Sequence, residues 1–278
     1  MHRPVRRPSL TPLVIAGLLA LLPAPLSATW SVIAVDARTG RLVVASATCV
    51  SQERLEGFPA KGLMDVQAIL VPGVGVAAAQ AGVDRTRANQ KLIYDQLRAG
   101  TDPVMILELL KADPNIERRQ FGIVDMQGRS VGFSGSGNLE ASLSAQGTVS
   151  GTEIHYSIQG NILASEAVVT EAVAAFEAED GSLADRVMAA MEAADAAGGD
   201  SRCSCATEPV PSAPCESRTA HVAYLVQAES TDALGESFND GDYSLYLNVT
   251  DQDIQPNENA NPVVTLRMRY DAWKRGGA

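Results

Sequence analysis

The stretch "PAPLSATWSVIAVDARTG" puts Thr29 directly after the small residues Ser27 and Ala28 and at the head of a β-branched run. A threonine hydroxyl is a weak nucleophile until a base removes its proton. If the chain is cut after Ala28, the same residue supplies that base. A free α-amine has a pKa of about 7.7 to 8.0, so roughly a tenth to a sixth is neutral at pH 7. It also reaches its own hydroxyl, directly or through one water. A serine–histidine–aspartate arrangement has little to draw on, because only His155 and His221 lie beyond residue 28. The competing role for Thr29 is that of a strand residue with good β-propensity.

Acyl transfer by such a residue also needs donors fixed where the negative oxygen of the tetrahedral intermediate forms. Asn161, in "QGN" between a strand-like and a helix-like segment, is the candidate donor, and Gln159 is a second. Ser31 shares a strand face with Thr29 by period two and is a candidate helper. Arg119 and Arg202 suit a substrate carboxylate, and Asp36 or Asp200 suits the terminal ammonium. Turn aspartates and solvated arginines are the structural alternatives for these four.

The four cysteines are Cys49, Cys203, Cys205 and Cys215, three of them inside "CSCATEPVPSAPC". In an exported chain an even count favours disulfides; four cysteines allow three pairings, and sequence does not choose among them. The Cys-x-Cys spacing differs from a zinc knuckle, so no metal is expected.

Ahead of Thr29 lie Arg3, Arg6 and Arg7 without an acid, then "LVIAGLLALL" and the breakers Pro23 and Pro25. These are the proportions of a secretory leader over residues 1–28, and the apolar run is short for a bilayer span. The expected product is secreted or periplasmic, without stable membrane insertion. Loss of the leader's three arginines takes the net charge from -11 to -14, which argues against nucleic-acid partners. About 250 residues remain, enough for one substantial domain over 29–278.

The elements that must position these residues alternate in blocks. "WSVIAVD" and "RLVVASAT" flank the turn "ARTG" as a hairpin. "VQAILV" and "GVGVAAAQ" follow, and the four runs are expected to form a first sheet. Helices are expected over 84–98 and from Thr101 and Asp102, with Pro103 early in the first turn, through Lys111. Strands follow at "QFGIVD", "SVGFSG" and "IHYSIQG". Two further helices start from Ser165 and at Leu183, the second stopping at Gly198-Gly199. Strands at "AHVAYLVQA" and "YSLYLNV" precede a last helix capped by Asn261 with Pro262 at its first position. Blocks of strands and paired helices predict an α+β fold with stacked sheets rather than a parallel α/β sheet.

Five segments, "TWSVIAVDARTG", "AAAQA", "RRQFGIVDMQGR", "QGNIL" and "AAGGDSR", come in the order and at the intervals of a bacterial family, domain of unknown function 1028, which the chain resembles from Thr29 to about Lys274. That family is grouped with the N-terminal-nucleophile (Ntn) hydrolases. The resemblance implies a four-layer αββα sandwich of two antiparallel sheets and an N-terminal Thr, Ser or Cys as nucleophile for an amide or related acyl bond. It implies no substrate. Gly198, Gly199, Asp200 and Arg202 match the family, whereas the cysteine loop at about 201–218 departs from it.

The resulting expectation is an exported Ntn-type hydrolase without a cofactor, acting on a small-molecule or peptide-like substrate. The alternative is a non-catalytic exported binding protein on the same scaffold. Oligomeric state is not legible.

Overall fold

The computed structural model describes residues 29–58, 60–138 and 141–276. The leader expected over 1–28 lies outside them.

The β-branched run forms strand β1 (Thr29–Asp36), and the chain returns as β2 (Arg41–Thr48). Gly40, at φ +75°, takes the left-handed position of the turn. Asp36 is fixed by that turn, its carboxylate accepting the Arg38 N–H at 3.0 Å. On its other side β1 pairs with β8 (Ile154–Asn161), so Thr29 stands between Thr48 and Asn161. With β7 (Leu143–Thr148), β9 (Val222–Ala228) and β10 (Leu245–Thr250), these strands make a six-stranded sheet ordered β10-β9-β2-β1-β8-β7. A second sheet runs β3-β4-β5-β6 through Ala68–Val71, Gly75–Ala81, Arg119–Asp125 and Ser130–Ser134. All pairings between these strands are antiparallel.

The expected four-strand first sheet does not form. Two short helices, α1 (Gln52–Glu56) and α2 (Leu63–Gln67), carry the chain away from β2, and β3 and β4 join the other sheet. Val66 and Gln67 of "VQAILV" belong to α2.

Period-two alternation on β1 divides its side chains between two cores. Trp30, Val32 and Ala34 pack under α5 (Ala167–Ala178) and α6 (Leu183–Ala196). Ile33 and Val35 meet Leu70, Val76 and Val124 of the second sheet. That sheet's outer side, with Ala77, Phe121 and Ile123, is covered by α3 (Ala88–Arg98) and α4 (Pro103–Leu110). The protein is thus mixed α+β, with two antiparallel sheets facing one another and helices on their outer sides. Each large side chain sealed between layers contributes about 1.5 to 3 kcal/mol.

Several helix signals hold. Helix α6 starts at Leu183 as expected, over a reciprocal capping box of Ser182 and Asp185 that was not singled out from sequence. Asn261 accepts from the Val263 N–H at 3.1 Å at the head of α7 (Pro262–Gly276). Others shift. Arg87 takes φ +58°, so α3 starts at Ala88 rather than Asp84. Asp84 accepts instead from the backbone of Thr86 and Asn89. Helix α5 starts at Ala167, with Glu166 rather than Ser165 as its cap.

Candidate functional site

Thr29 is 3 % exposed and faces the space between the sheets at the end of β1. Its hydroxyl donates to Thr48 Oγ1 at 3.2 Å. Asn161, fully buried, is its direct partner across the β1–β8 pair, about 4.5 to 5.5 Å away between Cα atoms. Ser31 and Gln159 form the next inward-facing pair along the same two strands.

Behind Thr29 the inter-sheet layer changes from aliphatic to amide-rich. Ser157 donates to Gln159 Oε1, Gln159 Nε2 to Ser31 Oγ, and Ser31 Oγ to Gln80 Oε1, each at 2.7 Å. Gln80 Nε2 donates to the Thr29 carbonyl at 3.1 Å and to Gln120 Oε1 at 2.6 Å. Gln120 Nε2 continues to the Gly160 carbonyl at 2.8 Å. Gln67 donates to Gln80 at 2.6 Å and accepts from Tyr224 at 3.2 Å. Gly122 is needed opposite, because a Cβ there would overlap the Gln159 amide. The network makes Gln159 and Ser31 parts of the floor that holds β1, and both the oxygen and the nitrogen of the Gln159 amide are engaged within it. Gln67, Gln80 and Gln120 were not singled out from sequence; the only trace is Gln80 at an inward position of the "AAAQA" segment.

A narrow cleft opens from Thr29 and Thr48 over the end of β4 toward α1, α2 and α3, with a cavity volume of about 30 Å³. Its walls include Val50, Leu55, Leu63, Val66, Ala81 and Phe121. Arg119 also lines it, but its guanidinium is paired with Asp113 at 2.8 Å and donates to the Gly82 carbonyl at 2.6 Å. Asp84 lies on the same wall. Burial opposes its charge, yet hydrogen bonds from Asn89 and Thr86 and the nearby Arg119 hold its carboxyl below the usual range. With two carboxylates around one guanidinium, Arg119 does not present a free positive charge to the cleft.

Asp200 clasps the two strands that flank β1. Its carboxylate accepts the Cys49 N–H at 2.9 Å just past β2, and its backbone bridges Leu163 just past β8. Arg202 pairs with the same carboxylate at 2.8 Å. The Gly198-Gly199 step allows this approach: Gly199 sits at φ +47°, where a Cβ would lie 2.7 Å from the Trp30 ring. Asp36 is not brought to Thr29. It closes the opposite end of β1, seven residues or about 23 Å away.

The cysteines pair as Cys49–Cys203 and Cys205–Cys215. The first bond ties the cysteine loop to the residue following Thr48. His221 lies close enough that its imidazole and the sulfurs of Cys49 and Cys203 fall within 4.8 Å of one another. Because those sulfurs are bonded to each other, only the imidazole is left as a metal ligand. Burial, with Arg218 and Arg202 nearby, pushes the His221 pKa down to about 4, against an opposing pull from Asp200. Two non-glycine residues near Thr29 in the sheets hold left-handed backbone: Ala81, which lines the cleft, at φ +69°, and Ile162, which follows Asn161, at φ +55°. For a β-branched residue that conformation is strained, and nothing in the residue type announces it.

The family model "Family of unknown function (DUF1028)" matches residues 29–208. The chain belongs to that family. The DUF1028 match opens at Thr29, the first residue of β1, and takes in strands β1 to β8, the amide network apart from Tyr224, and the Asp200 clasp. The crystal structure of protein SPO2555 from Silicibacter pomeroyi, which carries the same DUF1028 assignment, is similar to this chain. Its TM-score is 0.61 at 21 % identity, over 88 % of this chain and 89 % of that one, a likeness of fold. No curated protein matches the chain.

Proposed function

We propose that this DUF1028 protein is an exported N-terminal-nucleophile hydrolase of an amide or related acyl bond. The observation that carries the reading is that Thr29 heads a central strand with its hydroxyl side on a cleft and Asn161 directly opposite. The two facing antiparallel sheets with outer helices suit the αββα sandwich of Ntn hydrolases, and the two disulfides suit an oxidising compartment. Among the described residues no helix is long and apolar enough to cross a membrane.

In this reading, cleavage after Ala28 frees the Thr29 amine. The neutral amine takes the hydroxyl proton as Oγ1 bonds to the substrate carbonyl carbon. The Asn161 side-chain amide donates to the oxygen that becomes negative. Collapse breaks the bond to the leaving amine, which receives the proton. Water, activated by the same amine, then hydrolyses the acyl-threonine ester. Asp200, fastened to both strands flanking Thr29, holds that end of the sheet in place.

The test is turnover of an acyl anilide by three forms: the chain beginning at Thr29, the same chain with Gly ahead of Thr29, and Thr29→Ala. Only the first should be active, because an amide nitrogen accepts no proton at neutral pH.

A further inference from the structure

Helix α2 divides its side chains between two spaces. Leu63, Val66 and Gln67 line the cleft at Thr29, whereas Met64 and Asp65 line a second space with a cavity volume of about 480 Å³. That volume falls within the range of small-molecule sites. Its other wall is the segment 237–246, which supplies Asn239, Asp240, Tyr243 and Tyr246 as the chain enters β10. The wall is built in place. Asn239 Nδ2 donates to the carbonyls of Met64, Asp65 and Ala68 at 3.2, 3.0 and 3.1 Å, and the Phe238 carbonyl accepts the Leu70 N–H at 2.8 Å. Gly241 lets the Tyr243 ring close over the backbone, because a Cβ there would lie 2.8 Å from Tyr243 Cε1.

The lining is aromatic and acidic. Tyr246 is 46 % exposed on this cavity, an aromatic face left open to whatever enters. Burial, with Asp65 and Asp253 nearby, pushes its hydroxyl up to about 12. Burial outweighs the Gly241 N–H in pushing Tyr243 to about 12 as well, with Asp240, Tyr94 and Asp232 adding to it. Both rings are therefore neutral phenols set among carboxylates. Asp65 is already paired with Arg87 at 2.8 Å. Asp240 takes only the Ser237 N–H, and Asp232 the N–H groups of Glu229 and Ser244; among the described residues neither these two nor the exposed Asp242 forms an ion pair. Lys61 is the one cationic side chain on the lining among the described residues, and it is exposed.

Such walls repel anions and offer ring faces to a cation. A bare metal ion would exchange its water for ring carbon at a loss. A cation with carbon substituents gains from the rings and from the negative field together. The geometry points to a binding site for a small alkylated ammonium ion, seated against the rings of Tyr243 and Tyr246 with Asp240 and Asp242 around its charge. The site stands on this cavity alone and does not depend on hydrolysis at Thr29.

The test is calorimetric titration of the protein beginning at Thr29 with choline and with its uncharged carbon isostere, which carries a tert-butyl group in place of trimethylammonium. Choline should bind about tenfold or more tightly than the isostere. Tyr246→Leu should weaken choline roughly fivefold or more, while Tyr246→Phe, which keeps the ring face, should change it by less than about twofold. Asp242→Asn should weaken it roughly threefold and reduce the loss of affinity on adding salt. Both positions are exposed, so the urea midpoints of the variants should equal that of the parent. No choline binding at about 50 mM, equal affinity for the isostere, or full affinity in Tyr246→Leu overturns the site. Equal losses in Tyr246→Phe and Tyr246→Leu overturn it too, because the hydroxyl rather than the ring would then hold the ligand. Displacement of choline by micromolar calcium would make the cavity a metal site and overturn the ammonium assignment.

Discussion

The side-chain amide of Gln80 reaches from the second sheet and donates to the backbone carbonyl of Thr29 at 3.1 Å. Its second N–H goes to Gln120, and its oxygen accepts from Ser31 and Gln67. All four hydrogen-bonding positions of one glutamine are used inside the protein, and one of them fixes the backbone of the proposed nucleophile.

Replacing Gln80 by Leu keeps much of the volume and strands four buried groups. The expected cost is about 2 to 4 kcal/mol of stability, read as a lower urea midpoint, with kcat falling more than KM changes. An unchanged midpoint would mean that the network does not hold the strand.

Asn161→Ala should lower turnover by roughly a hundredfold to a thousandfold if its amide stabilises the intermediate. Thr29→Ser, which keeps both hydroxyl and amine, should retain part of the activity. Equal rates for Asn161→Ala and the parent protein would remove Asn161 from the chemistry.

The Cys49–Cys203 bond spans 154 residues of sequence and the Cys205–Cys215 bond spans 10. Loop-closure entropy makes the first worth about 5 kcal/mol and the second about 3. The paired Cys49→Ser, Cys203→Ser variant should therefore unfold at the lower denaturant concentration of the two paired variants. Because this bond lies next to Thr48, the same variant should also lose activity. Mass analysis of the non-reduced parent should find no free thiol.

His221 gives the fold an acid-sensitive point. Its pKa is pushed down to about 4 in the folded protein from an ordinary 6.5, chiefly by burial. The unfolded chain therefore binds the proton first as pH falls. The contribution is intact above about pH 6.5 and is lost progressively toward pH 4. A replacement that does not titrate, His221→Gln, should flatten the pH dependence of the urea midpoint over that window, whatever it does to stability at pH 7.

Much of the framework was legible because local signals and tertiary demand agree. The β1–β2 hairpin follows from β-branched runs around a glycine turn, and the start of α7 from Asn261 ahead of Pro262. The sheet assignment of β3 and β4 was not legible: apolar runs state that strands are buried, not which sheet receives them, and two five-residue helices redirect the chain. Strand β7 escaped because "LSAQGT" is a half-buried strand at the sheet's edge whose apolar face is only Leu143 and Ala145. At the site, Thr29 was singled out by its place after Ala28, Asn161 by its place between a strand and a helix, and Ser31 and Gln159 by strand alternation, and the β1–β8 pairing brings the four together. Asp36 was misplaced because a turn aspartate and a site aspartate look alike along the chain. Arg119 lines the cleft as a paired charge, since Asp113, six residues earlier, is delivered to it only by folding. The glutamine layer lay hidden because each member sits alone in an apolar strand or helix and only packing assembles them.

The central claim is that one residue carries both hydroxyl and base. A small epoxyketone tests it most directly, because closing the morpholine ring of its adduct requires bonds to a hydroxyl and to a free amine of the same residue. Incubated with the protein beginning at Thr29, it should add one probe mass, localised by peptide mapping to Thr29, and it should leave the Gly-extended protein unlabelled. Absence of the adduct from the Thr29 form, or equal labelling of both forms, would contradict the account.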